Sequence, residues 1–361
     1  MKIALLTYFA ADNYGAVLQA YATIKALKQC GYEVQLVNYV IPEPPRSWMK
    51  NLLLYPKHLK LERFRKLHFK NITQSYHSIK DLQENPPLAD CYLIGSDQTW
   101  NPFISREMTR GFFLDFGDDK VLRTTYAPSF GMSEWEDSQW MSSDEATLLL
   151  HRFDFVSVRE TSGVALLREK FGLKDVTQVV DPVLLYPRYD ELIGPMKEGD
   201  ELILYKLVNS ADYYERARLL GRILNCPLRS IGSIRRIKGM RCAYPESLEG
   251  WMRRIASARY VITDSFHGTV VSLLYKRQFV VCVGNPKRIT RIQSLLAQYG
   301  LEDRMLLDID PVEKMAERLN TPIDYDAVYN KLHTLRAESF EYLKKLKNKI
   351  YDAKGANSIS M

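Results

Sequence analysis

Short apolar runs alternate with helical patterns along most of this 361-residue sequence, and this alternation restricts the fold more than any other feature. The first unit is clear, because residues 3–8 are typical of a strand and apolar residues from Val17 to Leu27 then recur at helical spacing until Gly31. Strands separated by helices predict βαβ units and a parallel sheet covered on both faces. We therefore expect an α/β protein.

A turn-rich segment from Asp181 to Pro195 divides the predicted strands into two groups. The strands are residues 3–8, 34–37, 91–94, 123–126, 155–158 and 178–180 before this segment, and 202–207, 228–231, 260–263 and 279–283 after it. The length also suits two domains. We expect Rossmann-like doubly wound domains over residues 1–187 and 195–315, and C-terminal helices over 320–355 that pack back across them. Such domains face a cleft at the carboxyl ends of their sheets.

The formal net charge of +7 comes from one segment. Eight basic residues and one acid lie between Arg46 and Lys70, and the rest of the chain is balanced. Apolar residues on both sides of Pro56 predict a basic helical hairpin inserted over residues 43–75. A solvated hairpin packed on the first domain is one interpretation, and peripheral contact of residues 46–70 with an anionic membrane is the other. Without a nucleic-acid-binding motif, the charge does not indicate a nucleic-acid partner.

The cysteines and the lengths of the apolar runs indicate the cellular compartment in which the protein is expected. Five widely spaced cysteines form no CxxC pair, which favours neither a disulfide framework nor a zinc site. No His, Asp or Glu cluster has metal-ligand spacing, so no metal is expected. The apolar runs are too short to span a membrane. We expect a cytoplasmic protein, with any membrane association peripheral and at the inner face.

Polar residues follow two of the N-terminal strands. Asn13, Tyr14 and Gly15 lead into a helix that carries Gln19, and this loop could hold an anion or sugar hydroxyls, or simply cap the helix. The residues after strand 91–94 suit a polyhydroxylated ligand, with Asp97 as a general base and an indole for stacking, although a capped short helix is the alternative. These residues are Ser96, Asp97, Gln98, Thr99, Trp100 and Asn101.

Three further strand ends carry cationic groups. Arg159 follows strand 155–158 and can bind a carboxylate or phosphate, or pair with an acid of the fold. His267 lies beside a glycine where a polar loop enters an apolar helix, and a nearby anion would favour its charged form, a competent general acid. Lys287, Arg288 and Arg291 can share one helical face, which indicates either an anion site or a solvated basic surface.

Five segments, in order, resemble the polysaccharide pyruvyl transferase family. They are NYGAVLQAY (13–21), GSDQTWN (95–101), SVRE (157–160), VDP (180–182) and TDSFHGT (263–269). The resemblance covers about residues 1 to 305 and implies a fold like that of GT-B glycosyltransferases. It also implies transfer of the pyruvyl group of phosphoenolpyruvate onto two hydroxyls of a sugar or lipid-linked oligosaccharide, with formation of a ketal and release of phosphate. Phosphoenolpyruvate would be a co-substrate, and no cofactor is implied.

The resemblance also implies roles for individual residues. The cleft histidine of the family corresponds to His267, and an arginine of its phosphoenolpyruvate cradle corresponds to Arg159. Many members have arginine where this chain has Ser265, so either Arg291 with Arg288 supplies that charge or the usual donor is not used. The expected site comprises His267 and Asp97 as catalytic residues; Arg159, Arg288, Arg291, Ser265, Gly268 and Thr269 for phosphoenolpyruvate; and Asn13, Tyr14, Gly15, Gln19, Ser96, Gln98, Trp100 and Asn101 for the acceptor. A nucleotide-sugar glycosyltransferase and a non-catalytic glycan-binding protein of the same fold are the alternatives.

Overall fold

The computed structural model describes residues 1–42, 47–208, 212–234, 237–284 and 289–359. Part of the predicted basic insertion, including Arg46, lies outside the described residues. Within these ranges the chain forms two large parallel sheets and a small two-stranded one, with helices around them. The predicted α/β class with two Rossmann-like sheets is confirmed.

The N-terminal sheet has the strand order β3-β2-β1-β4-β5, and all of its strands are parallel. Its central strands are buried on both faces, as expected for a sheet covered by helices. A two-stranded parallel sheet, β6-β7, continues from β5 through the bridge between Thr124 and Phe155. The strands are β1 (Lys2–Leu6), β2 (Glu33–Tyr39), β3 (Ile72–Tyr76), β4 (Cys91–Ile94), β5 (Leu122–Thr125), β6 (Val156–Val158) and β7 (Val176–Gln178).

The C-terminal sheet has the order β10-β9-β8-β11-β12-β13, again all parallel. In both sheets the strand order reverses beside the first strand, between β1 and β4 and between β8 and β11, and ligands bind at such switch points. The strands are β8 (Leu202–Tyr205), β9 (Leu228–Ile231), β10 (Arg241–Ala243), β11 (Tyr260–Thr263), β12 (Gln278–Val283) and β13 (Met305–Leu307).

Helices cover both sheets and form the connections between strands. In the described residues they are α1 (Tyr14–Gln29), α2 (Trp48–His68), α3 (Ile79–Glu84), α4 (Pro102–Ser105), α5 (Thr109–Phe112), α6 (Ser143–Leu150), α7 (Thr161–Ala165), α8 (Pro182–Leu185), α9 (Asp190–Ile193), α10 (Tyr213–Ile223), α11 (Leu248–Ala256), α12 (Phe266–Leu274), α13 (Thr290–Tyr299), α14 (Val312–Asn320) and α15 (Tyr325–Ile359).

Contacts of Tyr14 and Tyr342 are among those that hold the two halves of the chain together. Tyr14, at the start of α1, stacks on Trp251 of α11 with ring centroids 5.4 Å apart, and its hydroxyl donates to the carbonyl of Glu246 at 3.0 Å. The final helix α15 returns to the first sheet, where the Tyr342 hydroxyl donates to the Thr125 carbonyl at 3.0 Å. These contacts fix the cleft that lies between the sheets.

The predicted helical hairpin is wrong. Residues of the insertion form one continuous helix, α2, in which Pro56 is an interior residue. Proline lacks the N–H of the helical ladder and normally ends or kinks a helix, which is why the sequence suggested two pieces. Each predicted strand overlaps an observed one, whereas β3, β10 and β13 were not predicted. These three are short outer strands whose residues show too little apolar alternation to be recognised.

Candidate active site

A cleft of about 750 Å³ lies where the carboxyl ends of β1, β4 and β11 face one another. Residues of both domains line the cleft. Two doubly wound domains bind a ligand between them in this way, at the carboxyl ends of their sheets. The polar or charged residues in its lining include Thr7, Tyr8, Asn13, Asp97, Gln98 and Arg106 from the N-terminal half, and Asp264, Ser265, His267 and Arg291 from the C-terminal half. Phe9 and Phe266 supply aromatic surface.

His267 lies in the first turn of α12, and its imidazole packs against Gly15 at the start of α1. A Cβ built on Gly15 would lie 2.2 Å from His267 Nδ1, so this approach requires glycine. His267 Nε2 lies 3.9 Å from Asp181 Oδ2 and has no hydrogen-bond partner in the described part of the chain. Burial lowers the pKa of His267 more than the Asp181 and Asp97 carboxylates raise it. The imidazole is therefore neutral near pH 7, and the hydrogen-bonding capacity of its buried Nε2 is unused within the described residues.

Arg159 follows β6 and is buried in a network of carboxylates. Its Nη1 donates to Asp181 Oδ2 at 3.0 Å and to Ser96 Oγ at 3.3 Å, while Nη2 lies 3.5 Å from Asp97 Oδ1. The guanidinium carbon lies 4.3 Å from the centre of the Phe266 ring. Among described residues, neither Nε nor Nη2 has a hydrogen-bond partner. Arg159 thus keeps two donors without a partner, but it does not line the cleft, so its charge rather than a direct contact acts on a bound anion.

Arg291, in the first turn of α13, faces the same aromatic ring. Its guanidinium carbon lies 5.7 Å from the Phe266 ring centre, and Nη1 lies 3.8 Å from Asp97 Oδ1. Burial and the charge of Arg159 lower the pKa of Arg291 to about 10. Its side chain is 20 % exposed and lines the cleft, whereas that of Arg159 is 1 % exposed. Arg288 and Lys287 lie outside the described residues.

Two carboxylates of this network were not assigned a role from the sequence. Asp181 caps α8, since Oδ1 accepts from Val183 N at 2.9 Å, and its Oδ2 faces Arg159 and His267. Glu160 is 1 % exposed and accepts from the Ser129 hydroxyl at 2.6 Å, and burial raises the pKa of its carboxyl despite the nearby Arg159. The VDP and SVRE segments carried these two residues, but only the fold shows that they meet.

Asp97 combines an unusual backbone with a strong electrostatic environment. Its φ of 80° lies in the left-handed region, which a non-glycine residue adopts at some cost. One oxygen accepts from Gln98 N at 2.9 Å. Burial would raise the pKa of Asp97, but the charges of Arg159, His267 and Arg291 outweigh burial and the pKa is lowered. A carboxylate held in its ionised form is a weak general base but a good hydrogen-bond acceptor for a sugar hydroxyl.

The start of α12 uses most of its expected anion-binding groups for its own structure. Ser265 caps the helix, its Oγ accepting from Gly268 N at 3.3 Å, and the Thr269 hydroxyl donates back to Ser265 O at 3.0 Å. A Cβ on Gly268 would lie 2.5 Å from Thr263 Oγ1, so this glycine allows close packing of helix and strand. Ser265 lines the cleft, but Gly268 and Thr269 do not, and their prediction as phosphoenolpyruvate contacts is corrected accordingly.

The loop before α1 lines much of the cleft, but of the predicted acceptor residues Asn13, Tyr14, Gly15 and Gln19 only Asn13 belongs to that lining. Asn13 lines it and caps the helix, with Oδ1 accepting from Gly15 N at 2.8 Å. Tyr14 is turned toward the C-terminal domain, where its hydroxyl is bonded to Glu246. Gln19 is fully buried and donates to Thr7 Oγ1 at 2.8 Å. The expectation that Tyr14 and Gln19 contact an acceptor is therefore corrected. Tyr14 joins the two domains, and Gln19 stabilises the loop after β1.

The loop after β4 also divides between cleft and core. Gln98 lines the cleft, whereas Ser96 is buried behind it against Arg159. Trp100 is fully buried, and its indole N–H donates to the Phe112 carbonyl at 2.9 Å. Asn101 caps α4, accepting from Phe103 N at 3.0 Å. The predicted stacking of a sugar on Trp100 is wrong, because the indole ring packs within the core and does not line the cleft.

The described residues contain no group of three or more His, Cys, Asp or Glu side chains that could hold a metal ion. The charged or titratable groups that line the cleft include Arg106, Arg291, Asp97, Asp264 and His267. Arg159, Asp181 and Glu160 are buried next to them. Such a site can bind a multiply charged anion and transfer a proton near it.

Two Rossmann-like domains facing a cleft define a GT-B-like protein, and solved structures share this fold. The glycotransferase of kitacinnamycin matches with a TM-score of 0.56 at 11% identity, UGT89C1 of Arabidopsis thaliana with 0.55 at 8%, and UDP-GlcNAc 2-epimerase from Neisseria meningitidis with 0.53 at 8%. Each alignment covers 97% of this chain and 99% of the other. At these identities the likeness concerns the fold alone.

The chain belongs to the polysaccharide pyruvyl transferase family, whose sequence model matches residues 13–286. The match includes Asn13, Asp97, Arg159, Asp181 and His267, and ends before Arg291. No curated protein matches the chain significantly.

Proposed function

We propose that this protein transfers the pyruvyl group of phosphoenolpyruvate onto two hydroxyls of a sugar or lipid-linked oligosaccharide, forming a cyclic ketal and releasing phosphate. One observation carries the proposal. Arg291, Phe266 and His267 line the cleft together, and the buried Arg159 lies at the same Phe266 ring as Arg291. A planar guanidinium pair suits the carboxylate and phosphate of this donor, and a histidine beside the pair suits proton transfer to it.

In this proposal Arg291 binds the donor anion in place of the arginine that many family members have at the position of Ser265. It comes from the next strand-to-helix connection, yet it lies within 5.7 Å of the ring next to Ser265 and is the more exposed of the two arginines. Ser265 meanwhile caps α12 through its hydroxyl. The anion would be held mainly by Arg291, and the positive charge of the buried Arg159 beside it would add to the attraction.

In the proposed reaction, His267 moves protons between the acceptor and the donor. The bound anion raises the pKa of His267 and the imidazolium protonates the methylene carbon, which becomes a methyl group as the electron pair of the double bond forms the new C–H bond. The first sugar hydroxyl bonds to the central carbon and returns its proton to the imidazole. The second hydroxyl then displaces phosphate, which leaves with the second proton.

The other cleft groups orient the substrates. Asp97 accepts a hydrogen bond from an acceptor hydroxyl, with Asn13 and Gln98 beside it in the lining of the cleft. Asp181 keeps Arg159 in place through the 3.0 Å contact and faces the imidazole. Its position behind both groups makes it a positioning residue.

The test is phosphate release from phosphoenolpyruvate in the presence of a panel of sugar and lipid-linked acceptors, with the product made in D₂O. A methyl group carrying one solvent deuterium and a ketal joined to two acceptor oxygens are expected. His267→Gln should lose this activity, whereas His333→Gln, an exposed histidine of α15, should retain it. Undiminished activity in His267→Gln would remove the proposed acid.

A thermal-shift comparison separates this proposal from the nucleotide-sugar chemistry named for the structural neighbours. Stabilisation by phosphoenolpyruvate is expected. Stabilisation by UDP but not by phosphoenolpyruvate would overturn the proposal in favour of a glycosyltransferase. Binding of glycans without phosphate release from any donor would overturn it in favour of a non-catalytic glycan-binding protein.

A further inference from the structure

The first half of α2 presents its apolar side chains to solvent. Trp48, Leu52, Tyr55 and Leu59 recur at i, i+4, i+7 and i+11, so they form one stripe along the helix. Their exposed fractions are 74, 64, 54 and 49 %. We call this the α2 stripe. In a surface helix of a globular protein, such an apolar stripe normally faces the core.

The opposite side of α2 is the one that packs. Leu61, Phe64 and Arg65 are its buried residues, and Phe64 meets Tyr21 of α1 edge to face with ring centroids 5.7 Å apart. The helix is therefore already docked on the N-terminal domain through its second half. The α2 stripe remains exposed although the helix is docked, and an exposed apolar patch of this kind marks a surface that contacts another apolar environment.

Basic side chains accompany the stripe along α2. Between Ser47 and Lys70 the chain carries seven basic residues and a single acid, Glu62. Lys50, Lys60, Arg63 and Lys66 are all exposed. Cations around an exposed apolar stripe that includes tryptophan are typical of a helix that lies in the interface of an anionic bilayer. Within the described residues, no helix is long and apolar enough to cross a membrane.

We propose that α2 is a membrane-docking helix, with the α2 stripe inserted among the headgroups of an anionic lipid surface. The helix is well placed to present the cleft to that surface. Asp12 is bonded to both His58, at 2.9 Å, and Arg65, at 3.1 Å, and Asp12 lies between the cleft-lining residues Ala11 and Asn13. The strand-end residues Ile41 and Pro42 also line the cleft, shortly before α2 begins.

The mouth of the cleft has apolar side chains of its own. Phe103 and Ile104 of α4 line it and are 44 and 41 % exposed, and Leu207 on the other domain is 58 % exposed. A protein docked through α2 would bring these side chains toward the lipid. The membrane contact itself does not depend on the proposed chemistry, because it is measured without substrate.

The experiment is flotation of the full chain with vesicles of phosphatidylcholine alone or mixed with phosphatidylglycerol, at low and high salt. Binding to the mixed vesicles that weakens in high salt is expected. Leu52→Ser with Leu59→Ser should lower the partition coefficient by about tenfold or more, since two inserted side chains are lost. Leu88→Ser with Leu148→Ser, which changes two leucines 84 and 73 % exposed elsewhere, is the matched control.

Tryptophan emission provides a second measurement. Trp48 is 74 % exposed, Trp135 and Trp140 are partly buried, and Trp100 and Trp251 are fully buried. Insertion of the stripe should therefore shift the emission to the blue mainly through Trp48, and Trp48→Phe should abolish the shift. Arg63→Gln with Lys66→Gln should weaken binding, unlike Lys120→Gln with Lys170→Gln, which removes two exposed charges elsewhere. No binding to anionic vesicles, or equal binding by the Leu52/Leu59 variant, would overturn the proposal. A dimer that this variant dissociates, without vesicle binding, would make the stripe an interface between two copies instead.

Discussion

Gly15 and His267 touch across the domain boundary so closely that any side chain at position 15 would displace the imidazole. A Cβ there would lie 2.2 Å from Nδ1 and 2.6 Å from Cγ of the imidazole. The two residues stand in the first turns of α1 and α12, so the contact joins two helix N-termini. The position of the proposed acid is thus determined by backbone supplied by the other domain.

Gly15→Ala should reduce turnover by about 100-fold, because a displacement of the imidazole by an ångström is enough for such a loss. Helical backbone at position 15 accommodates alanine, so the folded state should persist. The measurement is kcat for phosphate release alongside a thermal melt. Gly163→Ala is the matched control, since a Cβ there meets its neighbours at an ordinary 3.4 Å. Normal turnover in Gly15→Ala would show that the imidazole position is not critical.

The sequence predicted the fold well because the fold depends on local patterns. The buried strands β4 and β11 were predicted with their observed bounds, since each is a short, mostly apolar run between turn signals. Residues after these strands were correctly expected at the carboxyl edge of the sheets. The outer strand β10 was missed because its three residues, Arg241–Ala243, carry no such pattern.

The site was less predictable because side-chain direction depends on packing between distant segments. Trp100 and Gln98 belong to the same loop, yet one is in the core and the other lines the cleft. Nothing local in GSDQTWN distinguishes them. The pairing of Arg159 with Asp181 and the stacking of Arg291 on Phe266 likewise join segments whose proximity only the three-dimensional structure reveals.

Arg291→Ala should raise KM for phosphoenolpyruvate by roughly 10- to 150-fold, the range expected when hydrogen bonds to a charged group are lost. Arg291→Lys should recover part of the loss, since it keeps the charge without the planar pair of donors. Arg188→Gln, an exposed arginine outside the lining of the cleft, is the control. Adding Ser265→Arg to Arg291→Ala should restore donor binding in part, and an unchanged KM in Arg291→Ala would contradict the assigned role.

Tyr14→Phe should lower the free energy of unfolding by about 0.5 to 1.5 kcal/mol, the net value of one hydrogen bond. The change removes the 3.0 Å bond to the Glu246 carbonyl but keeps the stacking on Trp251. Urea unfolding measures it, with Tyr55→Phe, an exposed tyrosine, as the control. A loss no larger than that of the control would mean that the hydroxyl contributes nothing to the joining of the domains.

Burial lowers the pKa of His267 in the folded protein, so the unfolded chain takes up this proton first as the pH falls below about 6.5. The free energy of unfolding should therefore decrease with falling pH in that range, down to the folded pKa. His267→Gln cannot titrate and should lack this contribution. Unfolding curves at several pH values give the difference in the free energy of unfolding between the wild type and His267→Gln. The contributions of the titratable groups that the two proteins share cancel in this difference. A difference that does not vary with pH would contradict the lowered pKa.

Binding of phosphoenolpyruvate should reverse that shift and take up a proton at His267. The free imidazole is neutral near pH 7, and a bound anion favours the imidazolium, so donor affinity should rise as the pH falls between the free and bound pKa values. Calorimetry in two buffers of different ionisation enthalpy counts the protons. Because the phosphate group itself titrates near pH 6, the decisive quantity is the difference between the wild type and His267→Gln. Equal proton uptake by the two proteins would mean that His267 stays neutral with the donor bound, and that the acid of the reaction must be another group.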